Sequence, residues 1–356
     1  NTIDYQSIPD INKGNGRMPN SPTPKYTQYG NTDLQVSRIC QGTAFRNMER
    51  SEENDAGLRV LEHCIDIGLN FFDTAPGYGS GGSERLLGKA IENRRDKVII
   101  AERVLNLEYP LDAEEGKPKK PAKYNREYIF KATDWSLKRL GTDYLDILSI
   151  HLTDGLNAKR SPEAQDSYME FHKDPNPTSP EEISDSMDAL VQSGKIRYWG
   201  LSQHDSQDVK NYLRISKMTG NIPILSLQNN YSLMSRGKGT EALFPLIRNE
   251  GLGVQTIGPM AAGRLAPSAH IEPGSAAEDL IKSIDEVSKE LGVKRANVCV
   301  AWVLAHPELT TALAGSESPE HVDDNVAGTL LELPKELLDK LDNASSVFKD
   351  RENPES

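Results

Sequence analysis

Residues Gly68 to Gly88 read GLNFFDTAPGYGSGGSERLLG. An apolar run stops at Asp73, a glycine-rich turn carries Tyr78, and Ser83-Glu84 opens a second apolar-periodic segment. Strand, turn and helix thus follow one another without a linker, the unit from which parallel sheets with crossover helices are built.

The same unit repeats in both directions. β-prone runs are predicted at Arg38–Gln41, Asn70–Asp73, Lys97–Arg103, Tyr144–His151, Ile196–Ser202, Ile224–Gln228, Gly253–Ile257 and Thr310–Ala314. Helical period lies between them. In Asn54–Ile67 the residues Leu58, Val60, Leu61, Cys64 and Ile65 make an apolar stripe, and in Arg126–Leu140 Ile129, Ala132, Leu137 and Leu140 do so, the pattern of a helix covering a sheet. Ser51 with Glu53 and Asn54, Ser179-Pro180-Glu181-Glu182, and Ser318-Pro319-Glu320 supply N-terminal caps,. Eight strand–helix units predict an α/β chain closed into a (β/α)8 TIM barrel. An open doubly wound nucleotide fold would show GxGxxG after its first strand, and none is present.

Tyr26–Val36, with the turn signal Gly30-Asn31, predicts a β-hairpin ahead of the first barrel strand,. The chain divides into a polar N-terminal extension (1–24), a single barrel domain (25–345) and a polar tail (346–356). Two long polar loops, Asn106–Asn125 after the third strand and Thr153–Ser179 after the fourth, follow strand C-termini, where barrels of this kind place their chemistry.

With 41 basic against 53 acidic residues the 356-residue chain carries a formal charge of −12. That excludes a protein whose main work is gripping nucleic acid or an anionic membrane surface. No run approaches the roughly 18 apolar residues of a membrane span. Cys40, Cys64 and Cys299 sit singly in apolar runs and read as buried thiols,. The seven histidines, His63, His151, His172, His204, His270, His306 and His321, show no ligand spacing, so no metal site is expected,. A serine hydrolase elbow is likewise absent. The expected compartment is the cytoplasm. A periplasmic or secreted location after loss of a leader is the alternative, since the chain opens at Asn1,.

The Asp73–Tyr78–Ser83-Glu84 segment resembles the strand-two signature of the aldo-keto reductases. Three further segments agree in order and spacing: SLKRLGTDYLDILSIH (136–151), LVQSGKIRYWGLS (190–202) and LQNNYS (227–232). The resemblance spans roughly Lys25 to Leu341 and implies a nicotinamide-dependent oxidoreductase that moves hydride between the cofactor and a carbonyl or alcohol, a sugar or polyol among the candidates. Carbonyl reduction needs a proton donor beside the hydride acceptor, and the resemblance assigns that role to Tyr78. It gives His151 the orienting of the carbonyl oxygen and Asp73 the pairing of a cation.

The cation departs from the family pattern, because Arg103 stands where a lysine is expected. A guanidinium is planar and permanently charged, so it can polarise Tyr78 but cannot readily pass on a proton. Lys97 begins the same strand and would lie at the opposite end of the barrel. The expectation is retained cofactor binding with slow or redirected reduction.

For the cofactor, the resemblance places Ser202, Gln203 (where an asparagine is usual) and Gln228 at the carboxamide, Tyr231 against the nicotinamide ring and Arg264 at the pyrophosphate. Gly315, Ser316, Glu317, His321, Asp324 and Asn325 fall at the adenosine end. NADP is the expected cofactor. A carboxylate at Glu317 repels a 2′-phosphate and keeps NAD open. Two other readings compete: a regulatory barrel that binds cofactor without turnover, and an enzyme with tightly held cofactor doing internal redox. Monomer and homo-oligomer stay open alike.

Overall fold

The computed structural model describes residues 21–117, 119–151, 178–236 and 238–349. Most of the predicted N-terminal extension, nearly all of the loop after the fourth barrel strand and the end of the polar tail lie outside the described residues. So do His172 and residue 237.

Strands β1 (Tyr26–Gln28) and β2 (Gln35–Ser37) form the expected antiparallel hairpin. Eight parallel strands then close a barrel: β3 (Ile39–Gly42), β4 (Phe71–Asp73), β5 (Ile99–Val104), β6 (Leu145–His151), β7 (Ile196–Ser202), β8 (Ser226–Asn230), β9 (Gly253–Ile257) and β10 (Thr311–Ala314). They are hydrogen-bonded in chain order, with β10 returning to β3. The helices between them are α1 (Asp55–Ile67), α2 (Gly82–Ala90), α3 (Arg126–Leu140), α4 (Pro180–Gln192) and α5 (Ser206–Thr219). After β8 come the short α6 (Lys238–Glu241) and α7 (Phe244–Glu250), and after β9 two helices, α8 (Ala276–Leu291) and α9 (Arg295–Leu304). Two more, α10 (Pro319–Leu330) and α11 (Lys335–Ala344), follow β10.

The caps obey the sequence chemistry. Asn54, Asn125, Ser179, Asp205 and Ser318 each accept a main-chain N–H of the first helical turn with a side-chain oxygen, satisfying donors that helices leave unpaired. At α1 the cap is Asn54, and Ser51 lies outside the helix.

Alternation along each strand splits the core in two. Cys40, Phe71, Ile99, Ala101, Ile147 and Leu313 point into the barrel, whereas their neighbours Ile39, Phe72, Ile100, Leu148 and Ala312 pack against the helices, the period-2 geometry of a strand. The hairpin closes the N-terminal end. Its Tyr29, Leu34 and Val36 join the inner cluster, Tyr29 meets Phe71 edge to face at 5.5 Å, and its hydroxyl hydrogen-bonds Ser226 Oγ at 2.7 Å. Gly253 makes room for this plug, since a Cβ there would lie 2.3 Å from the Tyr29 ring. With the bottom sealed by apolar side chains, polar groups of the interior collect at the C-terminal mouth.

Candidate functional site

At that mouth the inward positions change from apolar to charged. Asp73 ends β4, and Arg103 is the last inward residue of β5. Both are nearly inaccessible, at 1% and 6% exposure. Arg103 Nη2 donates to Asp73 Oδ2 at 2.9 Å and to the Tyr78 hydroxyl at 2.6 Å, and lies 3.4 Å from the Thr74 carbonyl. Its Nη1 donates to Gln228 Oε1 at 3.2 Å. Charge and hydrogen bonds therefore converge on the phenol. Nε of Arg103 is buried without a hydrogen-bond partner among the described residues.

Tyr78 reaches the guanidinium because the turn carrying it is clamped. The turn is a short 3-10 segment, Tyr78–Gly81, in which Gly79 (φ +62°) and Ser80 (φ +51°) are left-handed. A Cβ on Gly79 would lie 2.1 Å from the Arg50 carbonyl oxygen, so the loop after β3 presses on the turn. Ser83 Oγ donates to the Thr43 carbonyl at 2.7 Å, and Thr43 Oγ1 donates to Thr74 Oγ1 at 2.9 Å. These contacts join the same loop to both flanks of the turn.

The electrostatics follow from burial and pairing. Burial pushes the Asp73 carboxyl up, and Arg103 and then Gln228 pull it back. The Tyr78 phenol is likewise raised by burial, with Arg103 opposing and Asp73 reinforcing the rise. Burial alone would weaken the proton affinity of Arg103, but Asp73 and Tyr78 hold its guanidinium above the ordinary value. The cation is permanent.

His151 closes β6 in register with Ser202 of β7, continuing the inward alternation of Ile147 and Ser149, and Tyr124 donates to its carbonyl at 2.5 Å. Ser202 in turn is in register with Gln228 of β8 and donates to Gln228 Oε1 at 3.0 Å. Gln203 follows with φ +64°, and its N–H donates to the Gln228 carbonyl at 2.8 Å. Asp73, Tyr78, Arg103, His151, Ser202, Gln203 and Gln228 thus gather around one end of the barrel. Arg264 and the run of left-handed residues Ala261, Ala262 and Gly263 follow β9 at the same end.

The structure does not bring Tyr231 to this site. Its ring is fully buried outside the barrel and stacks on Trp302 at 5.3 Å with an interplanar angle of 10°. Its hydroxyl bonds Glu241 at 3.1 Å and His306 at 3.2 Å. Tyr231 lies beyond the end of β8, where the chain has turned away from the lumen. The cue for it was the family resemblance, which picked the aromatic nearest the ring-stacking position, and strand alternation does not extend past the strand.

The segment after β10 is anchored rather than open. Ser316 accepts at its carbonyl from Gln41 Nε2 (3.0 Å) and at Oγ from Asn325 Nδ2 (3.0 Å). Glu317 takes the Asn47 main-chain N–H and side-chain amide, both at 2.8 Å. Asp324 pairs with Lys294 at 2.7 Å. Gly315 and His321 are exposed, and the His321 N–H caps on Ser318. Asn47 and Lys294 went unread in the sequence because both gain meaning only through partners more than two dozen positions away.

Behind β5, Glu102 points outward into a second buried charge cluster. Arg139 of α3 holds Glu84 of α2 through Nε at 2.7 Å and Nη2 at 3.2 Å. Glu102 is pushed well above the usual carboxylate range by burial and then by Glu84. One of its oxygens accepts the Arg103 N–H at 2.7 Å.

A family model described as the Aldo/keto reductase family matches residues 38–346. The uncharacterized oxidoreductase YrpG of Bacillus subtilis is 30% identical over 337 residues, covering 90% of this chain and 95% of that protein. The methylglyoxal reductase YeaE of Escherichia coli is 27% identical over 315 residues, covering 88% and 92%. Among solved structures, the holo form of the aldo-keto reductase AKR11C1 from Bacillus halodurans aligns with a TM-score of 0.70 at 26% identity, over 94% of this chain and all of that one.

Proposed function

From the premise that the chain belongs to the aldo/keto reductase family, we propose that it is an NAD(P)-dependent oxidoreductase interconverting a carbonyl and an alcohol at the Tyr78 end of its barrel. The observation that carries this reading is the 2.6 Å bond from Arg103 Nη2 to the Tyr78 hydroxyl. Because the hydroxyl oxygen accepts from the guanidinium, its own hydrogen is left for a substrate oxygen. A nearby permanent cation lowers the cost of the phenolate formed when that hydrogen leaves.

Asp73 balances the cation, and His151 orients the substrate oxygen from the neighbouring strand end. The chemistry of the donor set suits a nicotinamide dinucleotide: Ser202 and Gln203 at the carboxamide, backed by Gln228, whose own amide is taken up by Arg103, Ser202, Asp73 and Gln255, and Arg264 with the backbone of the left-handed Ala261–Gly263 turn at the pyrophosphate. Gly315, Ser316, Glu317, His321, Asp324 and Asn325 would meet the adenosine end. The cofactor supplies the hydride. NADP is the first choice by family habit. The Glu317 carboxylate favours a ribose hydroxyl over a 2′-phosphate and keeps NAD in view. The substrate is a small carbonyl compound or its alcohol, with sugars and polyols first on the panel.

Arg103 also favours a second reading, because it polarises Tyr78 without a proton to relay. Under that reading the barrel binds cofactor and turns over slowly or not at all. The test is binding of NADP(H) and NAD(H) by intrinsic fluorescence, with turnover by absorbance on a carbonyl and polyol panel, for wild type, Tyr78→Phe and Arg103→Lys. Loss of the proton donor is expected to lower kcat about 10²- to 10⁴-fold. Turnover only in Arg103→Lys would replace the enzyme reading with the binding one, and absence of nicotinamide binding would remove both.

A further inference from the structure

We propose that Gln255, a residue outside the cofactor and proton-transfer roles above, is a positioning residue that fixes the side-chain amide of Gln228 and, through it, the Arg103–Asp73 pair. The inference deepens the oxidoreductase reading and rests on it.

Gln255 lies on β9 directly opposite Gln228 of β8 in the strand register, and each is 1% exposed. The Gln228 amide is saturated. Its Oε1 accepts from Arg103 Nη1 (3.2 Å) and Ser202 Oγ (3.0 Å), and its Nε2 donates to Asp73 Oδ1 (2.6 Å) and Gln255 Oε1 (2.9 Å). A glutamine amide has two hydrogens and two lone pairs to place, and these four partners take all of them. Three of the four belong to the proposed chemistry. Gln255 is the fourth.

The acceptor that Gln255 presents is set by its own second contact. Gln255 Nε2 donates to Cys40 Sγ at 3.6 Å, a thiol that burial keeps protonated. With its NH2 turned to the sulfur, only Oε1 faces Gln228. A reversed Gln255 would oppose two NH2 groups, and a reversed Gln228 would set its carbonyl against the Asp73 carboxylate and its NH2 against the guanidinium. Inside a closed barrel no bulk water relieves such contacts. One hydrogen-bonded line therefore runs from Cys40 through Gln255 and Gln228 to Arg103 and Tyr78. It fixes the plane of an amide that touches both the proton-transfer end and Ser202.

The signal was present in the sequence: Gln255 is the polar residue in Gly-Val-Gln-Thr-Ile at an inward position. Gln255→Met keeps length and volume but removes the acceptor, whereas Gln255→Glu keeps an acceptor oxygen. Two readouts are taken on the full chain, with a melting curve for each variant as the folding control. One is hydrogen exchange of the Gln228 side-chain amide, by NMR on glutamine-labelled protein and assigned by its loss in Gln228→Glu. The other is kcat and KM with the cofactor and carbonyl panel.

Gln255→Met is expected to speed exchange of the Gln228 amide about tenfold and to lower kcat about tenfold, as for one lost buried hydrogen bond, with cofactor KM little changed. Gln255→Glu is expected to recover most of both. Should Gln255→Met fail to fold, Gln255→Asn, which withdraws the amide by one methylene, takes its place with the same expectations. Unchanged exchange, equal damage by Gln255→Glu, or faster exchange at unchanged kcat would each overturn the proposal. Exchange needs no turnover, so an inactive wild type would count against the oxidoreductase reading alone and leave the orientation decided by the amide.

Discussion

Replacing Arg103 by methionine strands the Asp73 carboxylate in a closed interior, and the consequences can be worked out before the experiment. Breaking one side of a buried, hydrogen-bonded ion pair costs about 3–5 kcal/mol. Asp73 would keep the Gln228 Nε2 donor at 2.6 Å, so the lower end, about 3 kcal/mol, applies. Asp73→Asn leaves Arg103 with Tyr78, Gln228 and the Thr74 carbonyl as neutral acceptors and costs a similar amount. If the two losses were independent, the double variant would lose about 6 kcal/mol; with both charges gone it should lose about 3–4, a coupling of about 2–3 kcal/mol.

Acid should relieve the stranded carboxylate. Without Arg103 the Asp73 carboxyl, already raised by burial, rises further, so the folded state binds a proton more tightly than the unfolded chain. Its stability is then greatest below the unfolded pKa and falls as pH rises through the folded one. The Arg103→Met penalty should therefore shrink on acidification. The assay is urea denaturation of all four proteins near neutral pH and at mildly acidic pH. A single-variant cost below about 1 kcal/mol, typical of exposed pairs, strictly additive costs, or a penalty that does not shrink in acid would refute the reasoning.

Two further outcomes are expected. Burial pushes the His204 imidazole down to about 4, its Nε2 having no hydrogen-bond partner among the described residues; the unfolded chain takes up the proton first, so stability falls as pH drops from about 6.5 toward 4, by about 3 kcal/mol in all. Asp208, whose carboxyl burial raises to about 6, titrates with the opposite sign, so the wild-type minus His204→Asn difference in denaturation midpoint isolates the histidine, and a difference independent of pH would sink the argument. Gly79→Ala puts a Cβ against the Arg50 carbonyl at a left-handed φ and is expected to lower stability by about 2 kcal/mol and to impair turnover along with it; thermal unfolding beside kcat checks this, and an unshifted melting temperature would show that the clamp on Tyr78 is slack.

Much of the barrel was legible because its determinants are local. The alternation of apolar runs with helical stripes places all eight strands, and Arg126–Leu140 coincides with α3 at both ends. Asn125 and Gly141 explain that coincidence, one accepting the first-turn N–H and the other turning left-handed at φ +64°. The grouping of Asp73, Tyr78 and Arg103 was legible through the family resemblance of the Gly68–Gly88 segment, and the structure brings the three side chains within hydrogen-bonding distance. Tyr231 was misplaced because where a side chain points after a strand ends depends on what packs there, and Trp302, more than seventy positions later, decides it.

By itself the sequence determined the periodicities, the caps, the strand segments and, through the family resemblance, the group of Asp73, Tyr78 and Arg103. Only the tertiary structure decided how those groups spend their hydrogen bonds. The Gln228 amide divides its capacity among Arg103, Ser202, Asp73 and Gln255. Glu317 is held by Asn47, and Asp324 by Lys294. Closing the barrel brings residues from five strands within bonding distance and removes the water that would otherwise satisfy them. Partner choice there is a property of the enclosed space, whereas strand, helix and cap are properties of the local chain.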